Sequence, residues 1–131
     1  MKSYKYTLTV QEEDLDELLH VNNVVYLKYL QEAAIAHWNT LATEEIRDSI
    51  RWIVRKHEIE YLSSAGLGDN LEITTWVNIA EGVSSERAYE IRNGGKLLVK
   101  ARTLWISVDP SSLKPKRINE EIKDILGVPG T

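Results

Sequence analysis

The sequence contains no cysteine, and this absence removes several kinds of chemistry at once. Disulfides, thiol nucleophiles and thiolate metal sites are all excluded. The composition is compatible with the reducing cytosol, where we expect the protein to be located. His37 and His57 are far apart and have no second histidine nearby. We therefore expect no metal site and no bound cofactor.

Long apolar segments and large basic clusters are also missing. No apolar run approaches about 18 residues, and residues 1–10 lack the apolar core of a signal peptide. We therefore expect a soluble, cytoplasmic protein without membrane insertion. The net charge is −4, and the basic residues are scattered, with no cluster longer than 114–117. This distribution argues against nucleic acid as a partner.

The 131 residues suit one domain, 1–131, and the content of hydrophobic (43%) and charged (27%) residues is ordinary for a globular protein. Residues 4–10 alternate between apolar and polar, which predicts a half-buried strand. Residues 21–38 are apolar around most of a helical circumference, which predicts a central helix with neighbours on most sides. Two shorter helices are predicted after caps at Thr43 and Asn119, the second ending at Leu126 before Gly127 and Pro129.

Four further segments are rich in β-branched and aromatic residues and are predicted as strands: 52–62, 70–80, 84–92 and 96–108. Turn residues separate them, and Asn93-Gly94-Gly95 is a strong signal for a tight hairpin because it tolerates positive φ. The order of elements is one strand, a long helix, a short helix and four antiparallel strands. This order predicts an α+β domain in which one sheet curls around one helix.

One segment, from Asp14 to Tyr26, concentrates the chemistry of the chain. Acidic, turn-prone residues run into His20-Val21-Asn22-Asn23 and then into the apolar helix. A carboxylate is thereby held about one turn before a helix N-terminus, where free N–H groups and the positive end of the macrodipole lie. Such a site can polarise a carbonyl while an acid or base acts beside it. The pattern indicates hydrolysis of an acyl group.

A family resemblance rests on the run Asp16-x-x-x-His20-Val21-Asn22-Asn23-x-x-Tyr26 within this order of elements. It resembles the hotdog-fold acyl thioesterases, and more narrowly the 4-hydroxybenzoyl-CoA thioesterase-like acyl-CoA hydrolases. Asp14-Leu15-Asp16 with the same run is also similar to plant acyl-ACP thioesterases, and 61–71 and 101–117 fit as well. The resemblance implies a five-stranded antiparallel sheet wrapped around a long central helix. It also implies a homodimer, or a dimer of dimers, with active sites at the subunit interface.

The same resemblance assigns roles by position. Asp16 would be the catalytic carboxylate, and the main-chain N–H groups of Asn22, Asn23 and Val24 would face the thioester carbonyl. One carboxylate suffices for a thioester, either as nucleophile through an anhydride or as general base on water, and the sequence leaves both open. His20 would orient this carboxylate or contact the acyl group, or else it packs over the helix.

Other polar and aromatic residues are weaker candidates. Tyr26 is expected to pack in the core or to form a wall of the substrate channel. Ser84 and Ser85 are expected to line the pocket mouth, and Asp14 to hold the loop. Four basic residues would meet CoA phosphates or lie on a solvated face of the sheet: Arg87, Arg92, Lys100 and Arg102. The tryptophans, expected in the core or an interface, are Trp38, Trp52, Trp76 and Trp105.

Two positions depart from the families that the chain resembles. Leu19 stands where the bacterial enzymes usually have glycine, and Leu18 stands where the acyl-ACP enzymes have asparagine. The leading hypothesis is hydrolysis of an acyl-CoA substrate to a free carboxylic acid and CoA. The alternatives are hydrolysis of acyl-ACP, and a non-catalytic acyl-binding subunit on the same fold.

Overall fold

A computed structural model of the chain describes residues 2–128 and shows the predicted elements in the predicted order. A short 3-10 helix lies at Glu12–Asp14. The helices are α1 (Asn23–Leu41), α2 (Glu44–Ser49) and α3 (Glu120–Leu126). The strands are β1 (Ser3–Thr9), β2 (Arg51–Tyr61), β3 (Asn70–Glu81), β4 (Ser84–Asn93) and β5 (Lys96–Val108). Every predicted boundary is within a few residues of the observed one, and Pro129 lies outside the described residues.

All five strands form one antiparallel sheet in the order β1-β3-β4-β5-β2. Strands β3, β4 and β5 follow one another through short turns, and the predicted hairpin pairs Asn93 with Lys96. Gly94 has a φ of 61° there, a conformation that glycine adopts without strain. The two edges belong to β1, which precedes α1 in the chain, and to β2, which follows α2.

Helix α1 packs across one face of this sheet. Its buried residues are spaced at three and four positions, which places them on one side of the helix; they are Tyr26, Tyr29, Leu30, Ala33, Ala34 and His37. Leu30 and Ala33 have no exposed surface, and neither do Ile73 and Val99 of the sheet. The opposite side of α1 leaves Val24 (70%) exposed. The predicted α+β architecture, with a sheet wrapped around a central helix, is therefore confirmed.

The helix starts follow the predicted capping chemistry. Thr43 Oγ1 accepts a hydrogen bond from Ile46 N at 3.2 Å, and Asn119 Oδ1 accepts one from Ile122 N at 2.8 Å. Helix α3 ends at Gly127, whose φ of 70° closes the last turn. No helix within residues 2–128 is both long enough and apolar enough to span a membrane.

Candidate active site

The acidic segment forms a tight loop immediately before α1. Leu15 and Val21 form a β-bridge, and the Asp16 N–H donates to His20 O at 2.8 Å. Leu19 N donates to Asp16 O at 3.0 Å, so the three residues 17–19 form the tip of a small hairpin. Such a loop combines a turn with a following residue in the left-handed region. The hairpin holds Asp16 at the base of the loop, close to the helix start.

The Asp16 carboxylate is fixed through one of its two oxygens. Oδ1 accepts hydrogen bonds from Leu18 N at 2.9 Å and from His20 N at 3.3 Å. Aspartate commonly closes a turn in this way. Oδ2 receives no hydrogen bond from any residue between 2 and 128, and the side chain is only half-buried. One oxygen therefore sets the orientation of the carboxylate, and the other is open to a ligand or a water molecule.

Asp14 has the structural role predicted for it, because its side chain is buried and ties the loop to α1. Its Oδ2 accepts hydrogen bonds from Tyr29 Oη at 2.7 Å and from Gln11 N at 3.1 Å. Burial, followed by the contact with Asp14, raises the pKa of Tyr29. The phenol therefore stays protonated and donates to the carboxylate, which anchors the loop on the second turn of α1.

The three N–H groups expected to face a carbonyl differ in whether they already donate a hydrogen bond. The Asn22 N–H donates to Asp14 O at 2.9 Å, and the Val24 N–H donates to the Asn22 side chain at 3.1 Å. Asn22 is thus the N-cap of α1, which begins at Asn23. The Asn23 N–H has no acceptor within the described part of the chain. Of the three, it is the donor that remains available at the positive end of the helix dipole.

His20 and Tyr26 lie in different surroundings on either side of the helix start. The His20 side chain is exposed, and its ring makes no hydrogen bond with residues 2–128. Tyr26 is buried between Tyr29, with ring centroids 5.9 Å apart, and Tyr61, at 5.7 Å. Burial raises the pKa of Tyr26, so its phenol stays neutral. Tyr26 therefore belongs to the core beneath the helix start, and His20 to its open side.

A second loop supports the first and was not recognised as part of the site from the sequence. Val21 N donates to Ala65 O at 2.8 Å, and His20 forms a β-bridge with Gly66. The Asp69 carboxylate accepts the Gly66 N–H at 2.8 Å and thereby shapes this loop. Tyr61 Oη donates to Asn23 O at 3.1 Å. The turn residues Gly68 and Asp69 were the only sequence signal for these contacts.

Leu19 occupies the strained position of the loop, with a φ of 63°. A left-handed residue costs about 1–2 kcal/mol unless it is glycine, whose extra freedom in the unfolded chain costs about 0.5–1 kcal/mol. We expect the free energy of unfolding of Leu19→Gly to exceed that of Leu19→Ala by about 0.5–1 kcal/mol. Urea denaturation of the two variants measures this difference.

The neighbouring Leu18 is the matched control for this prediction, because it is equally exposed but does not have a positive φ. There the order reverses, and Leu18→Ala is expected to be more stable than Leu18→Gly. If the free energy of unfolding of Leu19→Ala equalled or exceeded that of Leu19→Gly, Leu19 would not be strained. The structure thus gives a physical reason for the glycine that usually stands at this place in the bacterial enzymes.

Ser84 and Ser85 lie at the opposite end of the sheet from the Asp16 loop. Strand β4 begins opposite Glu81, at the far end of β3, whereas the Asp16 loop contacts Ala65 and Gly66 in the segment that leads into the start of β3. Ser84 Oγ donates to Glu81 O at 3.3 Å. Ser85 is buried and lines a cavity of about 560 Å³ beside the second half of α1. Within one chain, the two serines are therefore not brought together with Asp16.

The four basic residues predicted as candidates on β4 and β5 differ in their exposure and in their ion pairs. Arg92 pairs with Glu90 at 3.1 Å, and Arg102 contacts Glu58 and Glu86 on the solvated face. Lys100 is exposed. Arg87 is 5% exposed and lines the cavity, so the alternative expectation of a solvated face of the sheet is wrong for this residue. The residues described contain no cluster of three or more His, Asp or Glu side chains that could hold a metal ion.

Comparison with known proteins identifies the family. The acyl-ACP thioesterase N-terminal domain family matches residues 2–126. Acyl-CoA thioester hydrolase YbgC from Escherichia coli is 27% identical over 123 residues, which cover 91% of this chain and 92% of YbgC. The acyl-[acyl-carrier-protein] hydrolase FATB3 from Cuphea viscosissima is 23% identical over 108 residues, covering 74% of this chain and 26% of FATB3.

A solved structure extends the comparison to three dimensions. The crystal structure of YbaW, a probable thioesterase from Escherichia coli, has a TM-score of 0.79 and 26% identity with this chain. The alignment covers 93% of this chain and 95% of YbaW. The fold and the family predicted from the Asp16–Tyr26 motif are therefore confirmed. The chain belongs to the acyl-ACP thioesterase family of hotdog-fold thioesterases.

Proposed function

We propose that the protein hydrolyses acyl-CoA to a free carboxylic acid and CoA at Asp16. The observation that supports this most strongly is the half-fixed carboxylate beside a helix start. Oδ1 is held by two backbone N–H groups, and Oδ2 is open. The nearby Asn23 N–H has no acceptor among residues 2–128 and can donate to a carbonyl oxygen. A reactive oxygen and a donor for the developing oxyanion are the two elements that thioester hydrolysis requires.

The chemistry can follow either of two routes from this arrangement. In the first, Asp16 Oδ2 attacks the carbonyl carbon, the C–S bond breaks, and the CoA thiolate leaves and takes up a proton. Water then hydrolyses the mixed anhydride and restores the carboxylate. In the second, Oδ2 takes a proton from a water molecule while the water oxygen attacks the carbonyl carbon. The C–S bond then breaks, and the CoA thiolate leaves and takes up that proton from Asp16. In both routes the Asn23 N–H stabilises the oxyanion, and the exposed His20 ring lies beside the substrate.

The carrier is expected to be CoA rather than acyl carrier protein. YbgC, a hydrolase named for acyl-CoA, is matched over 92% of its length, whereas FATB3 is matched over 26% of its length. Leu18 also stands where the acyl-ACP enzymes have asparagine. Competition between acyl-CoA and acyl-ACP at equal concentration should show acyl-CoA hydrolysed at least as fast. A clear preference for acyl-ACP would assign the protein to the alternative reaction.

The active species is expected to be at least a dimer. Strand β2 forms an edge of the sheet and leaves backbone groups unpaired on one side. Ile53 on that strand is 46% exposed, and α1 also exposes two apolar residues, Val24 and Ile35. Pairing two copies along an edge would cover apolar surface and bring the loop of one copy toward the helix of the other. Light scattering at micromolar protein tests this, and a fully active 15 kDa monomer would contradict it.

A further inference from the structure

The cavity beside the second half of α1 has apolar walls and a polar floor. Three tryptophans line it, and two of them, Trp38 and Trp52, meet edge to face with ring centroids 5.6 Å apart. The third is Trp105. Two polar residues of the lining, Ser85 and Arg87, are each 5% exposed, and both belong to β4. A volume of about 560 Å³ is in the range of sites for small organic ligands.

Arg87 brings a positive charge to this cavity without a carboxylate beside it. Its Nη1 donates to His37 Nδ1 at 2.8 Å and to Thr75 Oγ1 at 3.1 Å. Nε and Nη2 have no acceptor anywhere from residue 2 to residue 128. Burial lowers the pKa of Arg87, yet a guanidinium remains charged in proteins. A buried charge of this kind is stabilised most by an anion that can accept its free N–H groups.

The neighbours of Arg87 do not neutralise its charge, and they reinforce the preference of the cavity for an anion. Burial, and then the charge of Arg87, lowers the pKa of His37 to about 4, so the ring is neutral and accepts a hydrogen bond. At the rim, Arg47 and Arg51 donate to backbone carbonyl oxygens. Asp48 is exposed, and no ion pair joins it to an arginine among the residues described. The lining therefore has three positive charges and one negative charge.

A largely apolar strip on the outer side of α1 connects the helix start with this cavity. Val24, Leu27, Gln31 and Ile35 follow one another at three- and four-residue spacing, so they share one side of α1, and all but Gln31 are apolar. Gln31 and Ile35 also line the cavity. His37, which contacts Arg87, lies 14 residues beyond Asn23, which is about 21 Å along the helix axis. An acyl chain of about sixteen carbons is long enough to span this distance.

The geometry points to a cavity that receives the far end of the acyl group and selects acyl groups that end in a carboxylate. The tryptophans would pack against the methylene chain, and the free N–H groups of Arg87 would bind the terminal carboxylate. The substrate class would then be CoA monothioesters of long-chain dicarboxylic acids. This inference rests on the proposed function, because it assigns the substrate of that same site.

A matched pair of substrates tests the selection. Hexadecanoyl-CoA and the CoA monothioester of hexadecanedioic acid have the same chain length and differ only at the far end. The carboxylated substrate should have a kcat/KM at least about tenfold higher, because a charge-assisted contact inside an apolar site is strong. An equal or higher kcat/KM for hexadecanoyl-CoA would overturn the inference.

Substitutions at Arg87 connect this preference with the cavity. Arg87→Met should abolish the preference for the carboxylated substrate, and Arg87→Lys should retain part of it because it keeps the charge. Arg92→Met is the matched control, since it removes an arginine from the same strand at a site outside the cavity and should leave the preference unchanged. A preference that survives Arg87→Met in full would contradict the assignment.

A binding measurement separates this inference from the proposed function. Monomethyl hexadecanedioate and methyl hexadecanoate mimic the two acyl groups, with a methyl ester in place of the thioester. The tryptophans of the cavity should report binding through their fluorescence, and the carboxylated ester should bind at least about tenfold tighter to the wild-type chain. This result without any thioester hydrolysis would support the cavity and refute the proposed function. Hydrolysis without any difference between the esters or between the thioesters would refute the inference alone.

Discussion

Replacement of Asp16 by asparagine is expected to lower kcat by about 10²–10⁴-fold without unfolding the protein. The amide of Asp16→Asn keeps the oxygen that accepts the N–H groups of Leu18 and His20, so the loop can retain its shape. The second carboxylate oxygen is lost, and with it both the basicity and the nucleophilicity that hydrolysis requires. Steady-state kinetics on the best acyl-CoA substrate, with circular dichroism for the fold, measures the effect.

Glu17→Gln is the matched control for this variant. Glu17 is the neighbouring carboxylate at the exposed tip of the same loop, and removing its charge should change kcat by less than about twofold. If Asp16→Asn retained wild-type kcat/KM, Asp16 would not be the catalytic carboxylate. If both variants lost activity equally, the charge of the loop rather than a specific carboxylate would be responsible.

Replacement of Asp14 by alanine is expected to lower the free energy of unfolding by about 2–4 kcal/mol and also to lower kcat/KM. The substitution leaves the Tyr29 hydroxyl and the Gln11 N–H without their acceptor, and each unsatisfied buried group costs about 1–3 kcal/mol. The Asp16 loop would also lose its attachment to α1. Urea denaturation and steady-state kinetics of Asp14→Ala measure the two effects.

A double-mutant cycle with Tyr29→Phe isolates the contact between Asp14 and Tyr29. We expect a coupling of about 1–2 kcal/mol in the free energy of unfolding, since the two side chains meet at 2.7 Å in a buried site. Tyr6→Phe serves as the control, because its hydroxyl meets Glu32 at 3.3 Å in a less buried place and should change stability by less than about 0.5 kcal/mol. Additive effects of Asp14→Ala and Tyr29→Phe would show that the contact does not anchor the loop.

The parts of the fold that the sequence predicted are those set by local chemistry. Alternation in residues 4–10 defines β1, and the two glycines after Asn93 define the hairpin between β4 and β5. Thr43 and Asn119 cap the helices that they were expected to cap. Each of these features depends on a few neighbouring residues, whose backbone preferences act in the same way in any protein.

The features that the sequence did not reveal depend on contacts between distant residues. Arg87 lies on a strand whose pattern allowed a solvated side chain, and only the packing of α1 brings His37 over it. This contact follows from the curl of the sheet around the helix, and no local pattern encodes it. The Asn22 N–H is occupied because Asp14 O reaches it from the other side of the small hairpin.

The route of the chain between the two edges of the sheet has a consequence for how the protein denatures. Helix α1 follows β1 at one edge and precedes β2 at the other, and its buried side covers the strands between them. Separation of either edge would uncover part of the core that α1 shares with the sheet, and loss of the helix would expose the apolar face of the strands. The Asp16 loop lies on this same connection. Heat should therefore unfold the sheet, the helix and the Asp16 loop in one cooperative transition.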